Sequence, residues 1–444
     1  MLCCRVFEIR EKPQLVEKVL LIGAYFDRRE EVDAASLLEE LRELVTTLGL
    51  PIADAILVRV SEGNARYLMG KGKAKELIDL AKSLGCDCII FDNPLTPVQQ
   101  RIWEEDSGMA VIDREEVILD IFNMRAKTRE ARLQVDLARM TYSLPRLSRM
   151  WGHLDRQGGG GGGGSSPAAR GEGESQLEID RRLARKRIDI AKRELIEVKT
   201  QRETQRKERM RDPMPHGAIV GYTNAGKSTL LNALTGADVL AENKLFATLD
   251  TTTRKLQLPD GQQLLVTDTV GFIRKLPHRL VESFKATLEE STMADFLIHV
   301  IDASGPRALE FYETTMTVLN ELGADTKKML VVLNKIDLVP DLTKLQELAS
   351  HFHNPVLLSL HTGEGMDELR HKLSVMLLDK AVRLQLRLPQ ARMDLVALIH
   401  REGKLISQEY DGNDLLITTT VPKRWESKFA PYRVDETLET AIRD

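Results

Sequence analysis

Between Val19 and Met124 two apolar patterns take turns along the chain. Val19–Gly23, Ala55–Val60, Cys88–Phe91 and Ala110–Ile112 are short, mostly apolar runs, the pattern of strands buried on both faces. Between and after them, Val32–Leu48, Ala74–Leu84, Pro97–Glu105 and Glu116–Met124 carry apolar residues at helical spacing. This alternation predicts an N-terminal α/β domain over residues 1–125, with a mostly parallel sheet covered by helices. Gly70-Lys71-Gly72-Lys73 falls between the second strand and the second helix. It reads as a solvated turn or as a phosphate contact.

From residue 126 to 212 the pattern changes. Leu133, Leu137, Met140, Leu144 and Leu147 repeat at four, three, four and three residues. Ala184, Ile188, Ala191, Leu195 and Val198 show a similar heptad-like repeat. Two such helices predict an antiparallel hairpin. Its tip would be the run Gly158–Gly164, because polyglycine buries no core and loses the most backbone entropy on ordering. Asp212-Pro213-Met214-Pro215 ends the second helix. A strand–helix alternation then predicts an α/β nucleotide domain over 213–385. The strand pair Gly403–Tyr410 and Asp414–Thr420, with a helix on either side, predicts a small α+β domain over 386–444.

Composition changes this picture in one place. The chain has 444 residues, enough for about three domains, and a formal net charge of −4. No global attraction to nucleic acid follows, so any basic surface is local. One stands out: Arg181–Arg187 reads RRLARKR, followed by Lys192, Arg193, Arg202, Arg206, Lys207, Arg209 and Arg211. Both readings stay open for it, a solvated coiled-coil face or a basic arm on a phosphate backbone. Cys3, Cys4, Cys86 and Cys88 lack zinc-finger spacing and read as reduced thiols of a cytoplasmic protein. No transmembrane run and no signal peptide are expected.

The chemistry centres on Gly221-Tyr222-Thr223-Asn224-Ala225-Gly226-Lys227-Ser228, which fits G-x-x-x-x-G-K-[ST]. An apolar strand precedes it and a helix start follows, the context this phosphate-binding loop requires. Its N–H groups and the helix dipole would face phosphate oxygens. Lys227 would reach the β- and γ-phosphates and Ser228 would ligate Mg²⁺. Next, Asp268-Thr269-Val270-Gly271 ends a strand. As a D-x-x-G it fits a GTPase, with Asp268 holding a water on Mg²⁺ and the Gly271 N–H sensing the γ-phosphate. Asn334-Lys335-Ile336-Asp337 is an N-K-x-D. A carboxylate at Asp337 accepts from both guanine N–H donors, and adenine offers neither there. Lys335 would lie along the base and Asn334 would brace the loops. Ser359-Leu360-His361 stands where such proteins carry S-A-K.

The switch segment holds Phe246-Ala247-Thr248-Leu249-Asp250, then Thr251, Thr252 and Thr253. Thr248 is the first choice for a second Mg²⁺ ligand, with the other three threonines open. Phe272 follows the D-x-x-G where Ras-like proteins place a water-orienting Gln, so intrinsic hydrolysis should be slow and completed by a partner. Asn224 sits where some related GTPases hold K⁺.

Further segments resemble the HflX family of ribosome-associated GTPases. They include Asn93–Arg101, Val111–Arg114, Ile118–Phe122, Leu133–Leu137, Pro145–Leu147, Phe246–Asp250, Asp268–Arg274, Lys285–Glu289 and Ala397–Arg401. The resemblance covers nearly the whole chain. It implies a monomeric GTPase that binds GTP and GDP with Mg²⁺ and associates with the large ribosomal subunit and its RNA. It also implies splitting of stalled ribosomes under stress, with the basic hairpin as the RNA-binding arm. Some relatives hydrolyse ATP through their N-terminal part, for which Gly70–Lys73 is the one nominee. The usual R-G-P-G-E near the hairpin tip is here Arg170-Gly171-Glu172-Gly173-Glu174. Two other classes remain: a regulatory switch docking a protein or membrane through the hairpin, and a ribosome-assembly or tRNA-modifying GTPase.

Overall fold

The structure is a computed structural model that describes residues 16–61, 63, 66–149, 168–209, 214–236, 245–259, 261–276, 290–378, 381–422 and 425–434. Cys3, Cys4, the Gly158–Gly164 run and Lys285–Glu289 therefore lie outside the described residues. The chain forms two compact units. One comprises Met1–Arg202, Glu242–Asp250 and Arg274–Ala286, the other Glu203–Ala241, Thr251–Ile273 and Thr287–Asp444.

The first unit is built on a four-stranded sheet, β1 (Val19–Tyr25), β2 (Ile52–Arg59), β3 (Cys88–Phe91) and β4 (Ala110–Asp113). The order is β2-β1-β3-β4 and every pairing is parallel. Helices α1 (Glu31–Thr47), α2 (Lys71–Ser83), α3 (Pro97–Ser107) and α4 (Arg114–Arg125) alternate with the strands. Helix α3 shows why local sequence suffices here. Thr96 and Gln99 form a reciprocal capping box, Pro97 opens the helix, and Gly108 closes it at φ 73°. Gly70–Lys73 turns out to be the start of α2 and not a loop: Gly70 is its N-cap, and Lys73 pairs with Glu76 on the helix surface.

Helix α5 (Arg129–Ser143) follows, then the long α6 (Ala168–Arg209). Arg129 of α5 meets Glu194 in the second half of α6 at 3.3 Å, as an antiparallel pair requires. On α6 the expected seam is the sheltered face: Ile188 and Ala191 are buried, with Ala184, Leu195 and Val198 half-buried. On α5 the seam is displaced. Its deepest residues are Ala131, Gln134, Val135, Ala138 and Tyr142, and Leu133, Leu137 and Met140 are only half-buried. The reason is that α5 packs on α4, and polar Gln134 and Tyr142 share the buried stripe. Tyr142 donates to Asp113 at 3.0 Å, and Arg146 stacks on its ring while donating to Gln100 and the Leu95 carbonyl. Burial, with Glu116 and Asp113 nearby, pushes the Tyr142 phenol well up, so it stays a donor.

The second unit contains a six-stranded sheet of order β10-β9-β8-β5-β7-β6. Its strands are β5 (His216–Gly221), β6 (Thr252–Gln257), β7 (Gln263–Asp268), β8 (Phe296–Asp302), β9 (Lys328–Asn334) and β10 (Val356–Leu357). Only β6 runs antiparallel. Ile219, Val266, Ile298, Val300 and Val332 from the sheet pack with Leu230 and Leu231 of α7 (Lys227–Thr235). Each such side chain contributes on the order of 1.5–3 kcal/mol by leaving water. The described helices α8 (Ala308–Glu321), α9 (Leu342–Ser350) and α10 (Met366–Leu378) alternate with later strands.

A three-stranded antiparallel sheet ends the unit, in the order β11 (Ala381–Pro389), β13 (Asp414–Pro422), β12 (Lys404–Asp411). Helix α11 (Met393–Glu402) covers it with Leu395, Val396 and Ile399. Strand β11 adds a third strand to the expected pair, and residue 385 falls inside it.

Candidate functional site

The loop from Gly221 to Ser228 joins β5 to α7, and its glycines have specific work. Gly221 has φ 146°, and a Cβ there would stand 2.2 Å from the Val300 carbonyl oxygen. Gly226 has φ 98°, and its Cβ would meet Asn334 Nδ2 at 2.3 Å. Both conformations are ones only glycine adopts without strain. Asn224 is itself left-handed at φ 61°, a conformation asparagine tolerates better than most.

Lys227 is buried and donates to the Tyr222 carbonyl at 2.6 Å. Burial pushes its ammonium down to about 8, while Asp268 pulls the other way. A phosphate beside it would favour the charged form again. Ser228 Oγ donates to Asp268 Oδ2 at 2.6 Å. A hydroxyl and a carboxylate side by side are the hard oxygen donors that suit Mg²⁺. The residue after the D-x-x-G is bonded to the loop itself: Thr223 N donates to the Phe272 carbonyl at 2.8 Å, and Phe272 N to that of Gly221 at 3.1 Å. The Phe272 ring is fully buried. Thr269 ties its hydroxyl to the Ile219 carbonyl, and Val270 is buried alongside.

At the other end, Asn334 donates to the Ala225 carbonyl at 2.8 Å and accepts from Leu360 N at 3.4 Å. It thereby braces the P-loop and the 359–361 loop together. Lys335 is left-handed at φ 63° and its Nζ lies 2.6 Å from Asp302 Oδ2. Ser359, fully buried, donates to Asp337 Oδ1 at 2.6 Å. His361 is exposed. Ile336 N donates to the Leu358 carbonyl at 3.3 Å, joining the two loops.

The switch residues divide. Thr252 and Thr253 belong to β6, and the Thr253 hydroxyl bonds that of Thr267 at 2.7 Å. Ala247 and Thr248 are half-buried. Phe246, Leu249 and Asp250 are built into the first unit. The Phe246 ring stands edge-on to Phe122, centroids 4.7 Å apart, and Leu249 is buried. Asp250 holds the turn into α5, accepting from Lys127 N at 2.9 Å, Thr128 N at 3.2 Å and Thr128 Oγ1 at 2.5 Å, while Thr128 itself caps the helix.

Three family descriptions match successive stretches of the chain. Residues 35–123 match the family described as GTP-binding GTPase N-terminal, 125–209 the GTP-binding GTPase Middle Region, and 216–335 the 50S ribosome-binding GTPase. GTPase HflX of Akkermansia muciniphila is 54% identical over 436 residues, covering 97% of this chain and 100% of its own. The chain belongs to the HflX family. It is a GTPase. GTPase HflX of Escherichia coli is 40% identical over 395 residues, 89% of this chain and 88% of that one. A GTP-binding protein from the archaeon Sulfolobus solfataricus, solved with GDP, is 23% identical, covers 81% of this chain and 98% of its own, and superposes with a TM-score of 0.42.

One participant in this HflX-family site escapes motif reading. Asp302, which pairs with Lys335, ends an apolar strand, and a strand-end carboxylate facing a motif lysine is the available signal. Arg274, three residues past Gly271, belongs instead to a buried ionic cluster of the first unit. It donates to Asp33 at 3.0 Å and Ser36 at 2.6 Å, and lies 3.5 Å from Glu40. Among the described residues no helix is long and apolar enough to cross a membrane.

Proposed function

We propose that this chain binds GTP on the P-loop, uses it to engage the large ribosomal subunit through RNA, and separates stalled ribosomes under stress. The observation that carries the partner is α6, where Arg and Lys outnumber Asp and Glu on a helix of 42 residues. Arg182, Arg185, Lys186, Arg187, Lys192 and Arg193 are all exposed on it. A long basic helix held to the N-terminal unit suits a phosphate backbone, and the family description at residues 216–335 names the 50S ribosome.

In this reading Lys227 holds the β- and γ-phosphates, and Asp337 with Ser359 beside it selects guanine. Ser228 and Thr248 would hold Mg²⁺, with Asp268 placing a water on it. The ion would neutralise charge developing on the phosphate oxygens. Phe272 offers no hydrogen bond to an attacking water, so hydrolysis is slow until the ribosome completes the site. Asn224 is assigned to a K⁺ between the phosphates. Replacing Na⁺ by K⁺ should therefore raise turnover, and an unchanged rate rules that assignment out.

Co-sedimentation with purified large subunits tests the partner, with GDP or a non-hydrolysable GTP analogue at two salt concentrations. The analogue should favour pelleting, and added salt should weaken it steeply, as released counterions demand. Pelleting that ignores nucleotide and salt, or none at all, would shift the reading to a switch that docks a protein.

A further inference from the structure

Thr223 is the third residue of the P-loop, and its hydroxyl is buried with no hydrogen-bond partner among the described residues. Its neighbours are committed to the protein: Ser228 donates to Asp268, Thr269 to the Ile219 carbonyl and Ser359 to Asp337. Burying a hydroxyl without a partner is costly. An orphan of this kind beside a nucleotide loop calls for a ligand that completes it.

The place of the side chain narrows the choice. A Cβ built on Gly271 would stand 2.8 Å from Thr223 Cγ2 and 2.9 Å from Lys227 Nζ. Oγ1 shares its Cβ with that methyl, so the hydroxyl, the lysine amine and Gly271 meet at one corner. In the GTP reading the γ-phosphate goes there, between Lys227 and the Gly271 N–H. The next residue is Phe272, whose buried ring has no donor or acceptor, and whose backbone bonds both Thr223 and Gly221. The segment lying against Thr223 is thus the one that γ-phosphate sensing moves. All these residues belong to the second unit.

We propose that Thr223 Oγ1 holds the attacking water during hydrolysis, the task for which Phe272 has no group. The hydroxyl accepts a hydrogen bond from the water and turns its lone pair towards the γ-phosphorus. The water oxygen bonds to phosphorus, and the bond from phosphorus to the bridging oxygen breaks. GDP leaves with that electron pair, and the water proton passes to the phosphate product. Thr223 itself takes up no proton, so it orients without acting as a base, which fits a slow intrinsic rate. The proposal rests on the GTP reading of the P-loop.

The test uses the full chain with Thr223→Val, which exchanges the hydroxyl for a methyl of similar size, and Thr223→Ser, which keeps the hydroxyl. In the valine variant kcat should fall about tenfold, the loss of one hydrogen bond in the transition state. Its affinities for a fluorescent GDP and a fluorescent non-hydrolysable GTP analogue should stay at the wild-type values. Thr223→Ser should hydrolyse GTP close to the wild-type rate. The melting temperature of nucleotide-free Thr223→Val should equal or exceed that of wild type, because an unpaired buried hydroxyl is removed; a hydroxyl with a structural role would lower it. If the valine variant fails to fold, Thr223→Ala, which also lacks the hydroxyl, should show the same loss of kcat. Unchanged kcat in a folded variant without the hydroxyl overturns the proposal. So does a serine variant as slow as valine, or a fall in analogue affinity alone, which would make the hydroxyl a γ-phosphate ligand. Wild-type protein that takes neither nucleotide would instead sink the GTP reading itself, a result distinct from all of these.

Discussion

Asp337→Asn is expected to weaken guanine nucleotide binding by on the order of 10³-fold and to admit xanthine nucleotides. The change is isosteric, so the Ser359 hydroxyl keeps a partner: it now donates to Asp337 Oδ1 at 2.6 Å and can rotate to suit an amide. What is lost is the second acceptor. A carboxylate takes both guanine donors, whereas an amide offers one oxygen and sets an N–H₂ against the other donor. A hydrogen bond to a charged group is worth about 1.5–3 kcal/mol, and an opposed donor adds its own desolvation cost. Sites built around such bonds discriminate by about 10⁴–10⁵ when a partner is missing. Xanthine carries an oxygen where guanine carries the exocyclic amine, and the asparagine amide would donate to it. Titration with fluorescent GDP and its xanthine counterpart decides the matter. A variant that binds both as the wild type does would remove Asp337 from base recognition.

The P-loop, the D-x-x-G and the N-K-x-D are legible in sequence because each is a short contiguous span whose backbone does most of the work. Ser228 and Asp268 meet because β5, which leads into the loop and α7, and β7, which ends at Asp268, are neighbours in a parallel sheet. Asn334 reaches Ala225 for a similar reason, since β9 ends on the same side of the sheet as the loop. What could not be read is where side chains next to these motifs go. Asp250 lies in the switch segment, but its carboxylate holds the turn into α5, over a hundred positions earlier. Arg274 follows the D-x-x-G, and its acidic partners lie still farther back in the chain. No local spacing encodes such pairs. Strand β11 is different: Val382, Leu384, Leu386 and Leu388 alternate strictly, and the period-2 signal was present.

The segments that carry the family resemblance outside the nucleotide domain also acquire a physical meaning. Gln100, Asp113, Arg114 and Arg146 are all buried polar residues. They lie in two networks, one holding α5 on the sheet and one holding Arg274. Buried polar groups tolerate little substitution because each lost partner strands another. A short sequence signature therefore arises here from the interior of the N-terminal unit.

The Arg114 network should consequently dominate the stability of that unit. Arg114 is almost wholly buried and donates to Asp92 at 2.8 Å, Glu40 at 2.7 Å and the Leu37 carbonyl at 3.3 Å. Burial alone would lower its affinity for a proton, but Glu40 and Asp92 outweigh that and hold the charge. Arg114→Ala removes the central cation and leaves two buried carboxylates. Glu40 retains Arg274 at 3.5 Å, and Asp92 retains Lys275 at 3.8 Å among the described residues. Breaking a buried pair from one side costs about 3–5 kcal/mol. That is a large share of what holds a domain folded. Trp103, fully buried against Phe91 at 4.9 Å between centroids, is a natural reporter once Trp151 and Trp425 are replaced by phenylalanine. Urea unfolding followed by its fluorescence should show the midpoint falling sharply in Arg114→Ala. Changing Arg114, Glu40 and Asp92 together to methionine, leucine and leucine should recover much of the loss, since an apolar cluster of similar volume often matches an ionic one. If that triple variant is as unstable as Arg114→Ala, the network supplies net stability as well as geometry. If it recovers, the charges serve to hold Arg274 in place within the first unit and not to stabilise it.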